Sequence, residues 1–135
     1  VVVSHSADVA EATVALVRQL ANLDDDARPR LLAAGGLADG SVGTDAVRIA
    51  DAIRAADAGA GVVVLADLGG AVLSAFTALE ELLEPEVAGR VAVSRGPLVE
   101  GAFVAAVQAS AGDGLDGVRA AADEAASLDK LGDRR

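Results

Sequence analysis

Short β-branched runs alternate with longer alanine-rich segments along the 135 residues, the rhythm of repeated strand–helix units. Val1-Val2-Val3 has the continuous apolar character of a buried strand. Ser6 stands where an N-cap belongs, with Asp8 and Glu11 in the first turns, and Val9, Thr13, Leu16, Val17 and Leu20 recur at helical spacing. This predicts a helix over 7–23, broken by Asp24-Asp25-Asp26, a solvated turn, and followed by Pro29. Leu31 to Ala34 is a second apolar run, ending in Gly35-Gly36, and a polar glycine-rich loop follows through Gly43. Thr44 can cap a helix carrying Val47, Ala50, Ile53 and Arg54, which ends near Gly59. Gly61 to Ala66 is the clearest strand, apolar on both faces, and runs through Asp67-Leu68-Gly69-Gly70 into a helix over 71–83 that Pro85 stops. Val91 to Val93 is a fourth strand, closed by Gly96-Pro97. Helices over 98–110 and 115–131 complete the chain, with a turn over 111–114 between them. No linker or repeat interrupts this series, so the expectation is one domain over 1–135: an open, doubly wound, mostly parallel α/β sheet with helices on both faces.

Composition narrows the chemistry. With 11 Lys plus Arg against 21 Asp plus Glu the formal net charge is −10, which argues against nucleic-acid binding and against docking on anionic membranes. Cysteine is absent, so no disulfide, thiolate metal site or cysteine nucleophile is available. Tryptophan and tyrosine are absent and only two phenylalanines occur, Phe76 and Phe103, both read as core. No apolar run reaches the roughly 18 residues of a membrane span and no signal peptide is visible, which predicts a soluble, cytoplasmic chain. There is one histidine, His5.

In a doubly wound sheet, ligands gather beyond the carboxyl ends of the strands, where strand order reverses. Three of those ends carry unusual residues: Ser4-His5-Ser6, Gly35-Gly36 and Asp67-Leu68-Gly69-Gly70. They converge if the first strand lies between the second and third. A histidine there is rigid yet open, and a neighbouring carboxylate can fix its tautomer while leaving the other ring nitrogen free to attack. Glycines let backbone amides approach a phosphoryl group, and a helix starting at Ser6 offers further N–H groups. Phosphoryl transfer needs chiefly positioning and charge stabilisation. Each feature also has a plain structural explanation: a solvated histidine, glycines that serve tight turns, and Asp67 as a helix cap. Competing chemistries fare worse, since one histidine without cysteine makes no zinc site. Neither a Walker pattern, a dinucleotide fingerprint nor G-x-S-x-G occurs.

Val3-Ser4-His5-Ser6, Ala33-Ala34-Gly35-Gly36 with Gly43-Thr44, Ala66-Asp67-Leu68-Gly69-Gly70-Ala71, and Pro97-Leu98-Val99-Glu100-Gly101-Ala102, in that order, resemble the DhaM phosphotransferase subunits of phosphoenolpyruvate-dependent dihydroxyacetone kinases. These belong to the mannose-type IIA domains of the sugar phosphotransferase system. The resemblance implies that His5 accepts a phosphoryl group from the carrier HPr, itself charged from phosphoenolpyruvate by enzyme I. His5 then passes it to ADP held on a nucleotide-binding subunit, while a third subunit holds dihydroxyacetone. It implies Asp67 as the partner that orients His5, no permanently bound cofactor, no metal, and a homodimer sharing a strand near the carboxyl end. Ser4, Ser6, Gly35, Gly36, Gly43, Thr44, Gly69 and Gly70 are the residues expected around the phosphate or the partner. Many relatives carry serine where Gly70 stands and asparagine where Ser74 stands, and serine is common at Asp45, whose charge is expected near the anion site. Some relatives are fused to carrier and enzyme I domains, for which 135 residues leave no room, so separate donors are expected. Two other readings stay open: a sugar-transport IIA component passing phosphate to a IIB domain, and a non-catalytic regulatory module that binds anions at its helix N-termini.

Overall fold

The computed structural model describes residues 1–134. Four short strands, β1 (Val2–Ser4), β2 (Ala33–Gly35), β3 (Val62–Ala66) and β4 (Val91–Val93), pair in the order β2-β1-β3-β4, every pair parallel. The helices are α1 (Ala7–Leu20), α2 (Ala46–Ala56), α3 (Gly69–Thr77), the single turn α4 (Pro85–Ala88), α5 (Leu98–Ser110) and α6 (Leu115–Glu124). The expected doubly wound sandwich is what forms, with β1 between β2 and β3.

Alternation along the strands divides the core in two. Val1, Val3, Ala34, Val62 and Val64 face Ile49 and Ile53 of α2 and Ala71 and Ala75 of α3. Val2 and Leu65 face Val14 and Val17 of α1, Ala102 and Ala106 of α5 and Val118 of α6. A side-chain period of two carries apolar residues to both faces, which is why these strands read as unbroken apolar runs.

Element ends depart from the sequence expectations for local reasons. Asn22 takes a left-handed φ of 55° and the Leu23 amide closes on the Arg18 carbonyl, so α1 stops at Leu20. Asp45, not Thr44, caps α2, its carboxylate accepting from the Val47 and Arg48 amides, a contact worth about 1 kcal/mol. The helix expected over 71–83 starts earlier, at Gly69, and after Thr77 passes into a π-helical turn, Ala78–Leu82; the Thr77 hydroxyl bonds back to the Leu73 carbonyl at this junction. The last helix ends at Glu124 with a 3₁₀ turn, Ala125–Ser127, because Leu128 and Leu131 lie exposed with no surface to pack on. No strand follows β4 among the described residues, so the shared strand implied near the carboxyl end has no counterpart there. Phe103 packs on the α1–α5–α6 side of the core, whereas Phe76, also expected inside, is 45 % exposed. No helix among the described residues is long and apolar enough to cross a membrane.

Candidate active site

The parallel register sets the carboxyl ends of β1 and β3 side by side, Val3 against Ala66, so that the chain leaves both strands at Ser4-His5 and Asp67. A dense hydrogen-bond network follows. The His5 ring nitrogen Nδ1 lies 2.9 Å from Asp67 Oδ1. The His5 amide donates to Asp67 Oδ2 at 3.0 Å and the Ser4 hydroxyl donates to the same oxygen at 2.9 Å. The Leu68 amide donates to Oδ1 at 2.7 Å. Four hydrogen bonds use the full acceptor capacity of a carboxylate, so Asp67 is committed to holding His5 and is not a helix cap.

Partial burial pushes the Asp67 carboxyl up, but these hydrogen bonds outweigh it and hold the group below the ordinary carboxylate value. An ionised carboxylate has no proton to donate, so the imidazole proton is assigned to Nδ1 and Nε2 carries the lone pair. The imidazole is 28 % exposed and the Asp67 side chain 18 %, which leaves the ring reachable and its anchor largely covered.

Nε2 looks onto the first turn of α3. A methyl group built on Gly70 would lie 3.0 Å from Nε2 and 3.4 Å from Cε1. Leu68, the residue before that helix, offers no side-chain cap, and the first helical amides to find acceptors are those of Ala71 and Val72, both on the Leu68 carbonyl. Among the described residues the amides of Gly69 and Gly70 have no acceptor, so the turn of α3 beside the free ring nitrogen carries two unpaired N–H groups and the positive end of a helix.

The other expected residues divide by what they touch. Ser4 is buried, its hydroxyl spent between Asp67 and the Ser6 amide, so it props His5 from behind and is not at the expected phosphate surface. Ser6 caps α1 by accepting from the Val9 amide at 3.3 Å. Gly35 lies under α1, where a Cβ would stand 2.5 Å from the Ser6 carbonyl; it permits close packing and does not line the cleft. Gly36 and Gly43 point their amides at the Ser4 and His5 carbonyls, so these amides are occupied too. Thr44 Oγ1 is 2.6 Å from Ser74 Oγ on α3. Asp45 is absorbed in capping α2, so its charge is not directed at the expected anion site. Val42 in the loop after β2, Leu68 beside Asp67 and Leu73 on α3 stand exposed. Ser74 was visible in the sequence only as a departure from a family pattern; its spacing of four residues from Gly70 is the signal that places both on one face of a helix. A largely apolar cavity of about 290 Å³ opens at the opposite, amino-terminal edge of the sheet between Pro29, Val62, Ala105 and Leu115, and contains none of these residues. No group of three or more His, Cys, Asp or Glu side chains suited to a metal occurs among the described residues.

Residues 1–119 match the profile of the EIIA-man family, described as PTS system fructose IIA component. The phosphoryl donor subunit DhaM of PEP-dependent dihydroxyacetone kinase from Escherichia coli is 41 % identical over 120 residues, covering 87 % of this chain and 25 % of that protein. The chain thus spans about a quarter of the length of such relatives. The corresponding subunit of PEP-dependent dihydroxyacetone kinase 2 from Listeria innocua is 39 % identical over 108 residues, 80 % of this chain and 82 % of that one. Among solved structures, that of the unknown-function protein EF1359 superposes with a TM-score of 0.77 at 34 % identity, covering 90 % of this chain and 89 % of the other.

Proposed function

The chain belongs to the EIIA-man family of phosphotransferase-system IIA components, and from that membership we propose that it is a phosphoryl carrier: His5 Nε2 takes a phosphoryl group from phospho-HPr and yields it to ADP on the nucleotide-binding subunit of a dihydroxyacetone kinase. The observation that carries this reading is the pairing of a tied nitrogen with a free one, Nδ1 held 2.9 Å from Asp67 and Nε2 facing Gly70 in the first turn of α3, whose leading amides are unpaired. In the first half-reaction the Nε2 lone pair forms a bond to phosphorus as the donor's nitrogen–phosphorus bond breaks, and the electron pair of that bond stays on the donor. Nδ1 keeps its proton throughout. The phosphorylated ring therefore carries positive charge, which the adjoining Asp67 carboxylate offsets. The Gly69 and Gly70 amides and the α3 N-terminus balance the phosphoryl oxygens. In the second half-reaction a terminal phosphate oxygen of ADP displaces Nε2, and the neutral imidazole returns.

The Asp67 carboxylate is saturated by its four donors, which suits it to orienting the ring rather than to moving protons. The exposed Val42, Leu68 and Leu73 suit docking of protein partners over the cleft. β4 is an edge strand with one unpaired side, where a second copy can add in a homodimer. HPr, the nucleotide-binding subunit and the dihydroxyacetone-binding subunit are the partners under this reading.

Intact-mass spectrometry after incubation with phosphoenolpyruvate, enzyme I and HPr is the test. Wild type gains one phosphoryl group and His5→Gln gains none. Chasing the phosphorylated chain with ADP-loaded acceptor subunit discharges it and forms ATP. Phosphorylation of both proteins, or of neither with active donors, refutes the reading, and discharge only to a IIB domain reassigns the acceptor to sugar transport.

A further inference from the structure

The loop over 36–45 borders His5, and between its ends its tie to the neighbouring helix is the Arg48 guanidinium, which donates to the Leu37 carbonyl at 3.0 Å. Asp39 to Val42 are exposed, and hydrogen bonds there close within the loop, from the Leu37 amide to the Ser41 carbonyl and from the Ser41 amide to Asp39 Oδ1. Its ends are tied to the strand that bears the histidine. The Gly36 amide donates to the Ser4 carbonyl at 3.2 Å and the Gly43 amide donates to the carbonyl of His5 itself at 2.9 Å. A shift at Gly43 is therefore felt by the His5 backbone.

The ring's other neighbour is the first turn of α3, where Gly70 lies beneath Nε2. Among the described residues a single side-chain hydrogen bond joins the loop to α3, that between Thr44 Oγ1 and Ser74 Oγ. At 2.6 Å it is at the short end of hydroxyl–hydroxyl distances, and both residues are half-buried. Ser74 follows Gly70 by four residues, so the two share one face of the helix, the face turned to the His5 ring. Thr44 directly follows Gly43, so one end of this bond abuts the residue tied to the His5 carbonyl.

We propose that Thr44 and Ser74 form a clasp that fixes the spacing of the loop and α3 beside His5, which makes Ser74 a positioning residue for phosphoryl transfer; this rests on the phosphocarrier reading above. In-line transfer tolerates little misplacement, since an error of about 1 Å in a reacting geometry costs on the order of a hundredfold. Loss of one hydrogen bond loosens the loop without removing it, so the expected cost is smaller. The substitutions leave the exposed Val42, Leu68 and Leu73 side chains in place and alter the approach to the transition state, so the loss falls chiefly on the maximal rate rather than on donor affinity.

Single-turnover phosphorylation by phospho-HPr at varied donor concentration tests this with wild type, Ser74→Ala, Thr44→Val, the double variant and Ser74→Thr. Each single removal lowers the maximal rate about tenfold with an unchanged half-saturating donor concentration. The double variant is no slower than either single one, because the same bond is lost only once. Ser74→Thr, which restores a hydroxyl, recovers most of the rate. Thermal melts establish that the variants are folded, and Thr44→Val, close to isosteric, carries the test by itself should Ser74→Ala not fold. Wild-type maximal rates in the folded variants overturn the clasp, as do losses that multiply in the double variant or a change confined to donor affinity. No phosphorylation of wild type overturns the carrier reading and the clasp together, whereas a charged wild type with unaffected variants overturns the clasp alone.

Discussion

Under the phosphocarrier reading the chemistry at His5 turns on a division of labour between two ring nitrogens, and Gly70 is the residue that keeps the second one open. The ring has no freedom to retreat, because withdrawing Nε2 from a new neighbour lengthens the 2.9 Å contact between Nδ1 and Asp67. A Gly70→Ala methyl would sit 3.0 Å from Nε2, inside normal van der Waals distance and in the space the proposed phosphoryl group would enter. Alanine is at the same time the better helix former, by up to about 1 kcal/mol. Gly70→Ala is therefore expected to slow phosphorylation of His5 about tenfold or more while the melting temperature holds or rises. A mass-spectrometric time course beside a thermal melt reads both; unimpaired phosphorylation would show that the cleft has room on that side.

The strand tips show that the device holding His5 is a structural joint used twice. At the end of β1 the Ser4 hydroxyl donates to Asp67, the His5 amide donates to the same carboxylate, and the Ser6 amide donates to Ser4 Oγ. At the end of β4 the Ser94 hydroxyl donates to Asp123 at 2.6 Å, the Arg95 amide to the same oxygen at 2.7 Å, and the Gly96 amide to Ser94 Oγ at 3.0 Å. The second copy fastens β4 to α6 with no imidazole at its centre. Its tightest point is Gly96, where a Cβ would stand 1.9 Å from the Ala122 carbonyl oxygen. Backbone cannot give way as a side chain can, so Gly96→Ala is expected to cost about 3 kcal/mol, at the top of the overpacking range. Because β3 separates β4 from β1, the folded fraction is expected, under the carrier reading, to accept phosphate as wild type does. A lowered denaturant midpoint with normal phosphorylation is the expected pair of results, and an unshifted midpoint would show that α6 can move off the joint.

Over the whole molecule two electrostatic effects oppose each other as pH falls. The formal charge of −10 at pH 7 is self-repulsive, and neutralising scattered surface carboxylates relieves it. Asp67 and Asp123 act in the other direction. Burial pushes both up, but their hydrogen bonds prevail and hold them below the ordinary value of 3.8. A group depressed on folding contributes stability that is fully present above its unfolded pKa and is lost as pH falls through the folded one. At low salt, stability is thus expected to rise modestly from pH 7 toward about pH 5 as repulsion fades, then to drop below the ordinary carboxylate value. Adding about 1 M salt shortens the screening length to about 3 Å, which should abolish the first effect and leave the acid limb. Urea midpoints across pH at two salt concentrations measure both, and an acid limb that salt removes would mean the two networks contribute nothing.

Much of this was legible in one dimension. Alternating apolar runs and helical periodicities depend on neighbours within a few residues, so the elements, their two-faced burial and the unusual strand-end residues could be read directly, whereas the adjacency of His5 and Asp67 hung on a strand order that only the pairing supplied. Helix ends were read less well, because Asn22 and Thr77 act through local conformations that competing patterns conceal. What depended on the folded chain was which groups end up spent. Ser4 and Gly35 look like site residues in the sequence, yet one is consumed in propping Asp67 and the other in letting α1 approach β2. The free amides belong to Gly69 and Gly70, not to the glycines of the loop over 36–45. These outcomes rest on contacts between residues 30 and more than 60 positions apart, such as Thr44–Ser74 and His5–Asp67. Chain order states the chemistry available at each strand end; strand pairing and packing decide which donors and acceptors satisfy one another and which remain for a substrate.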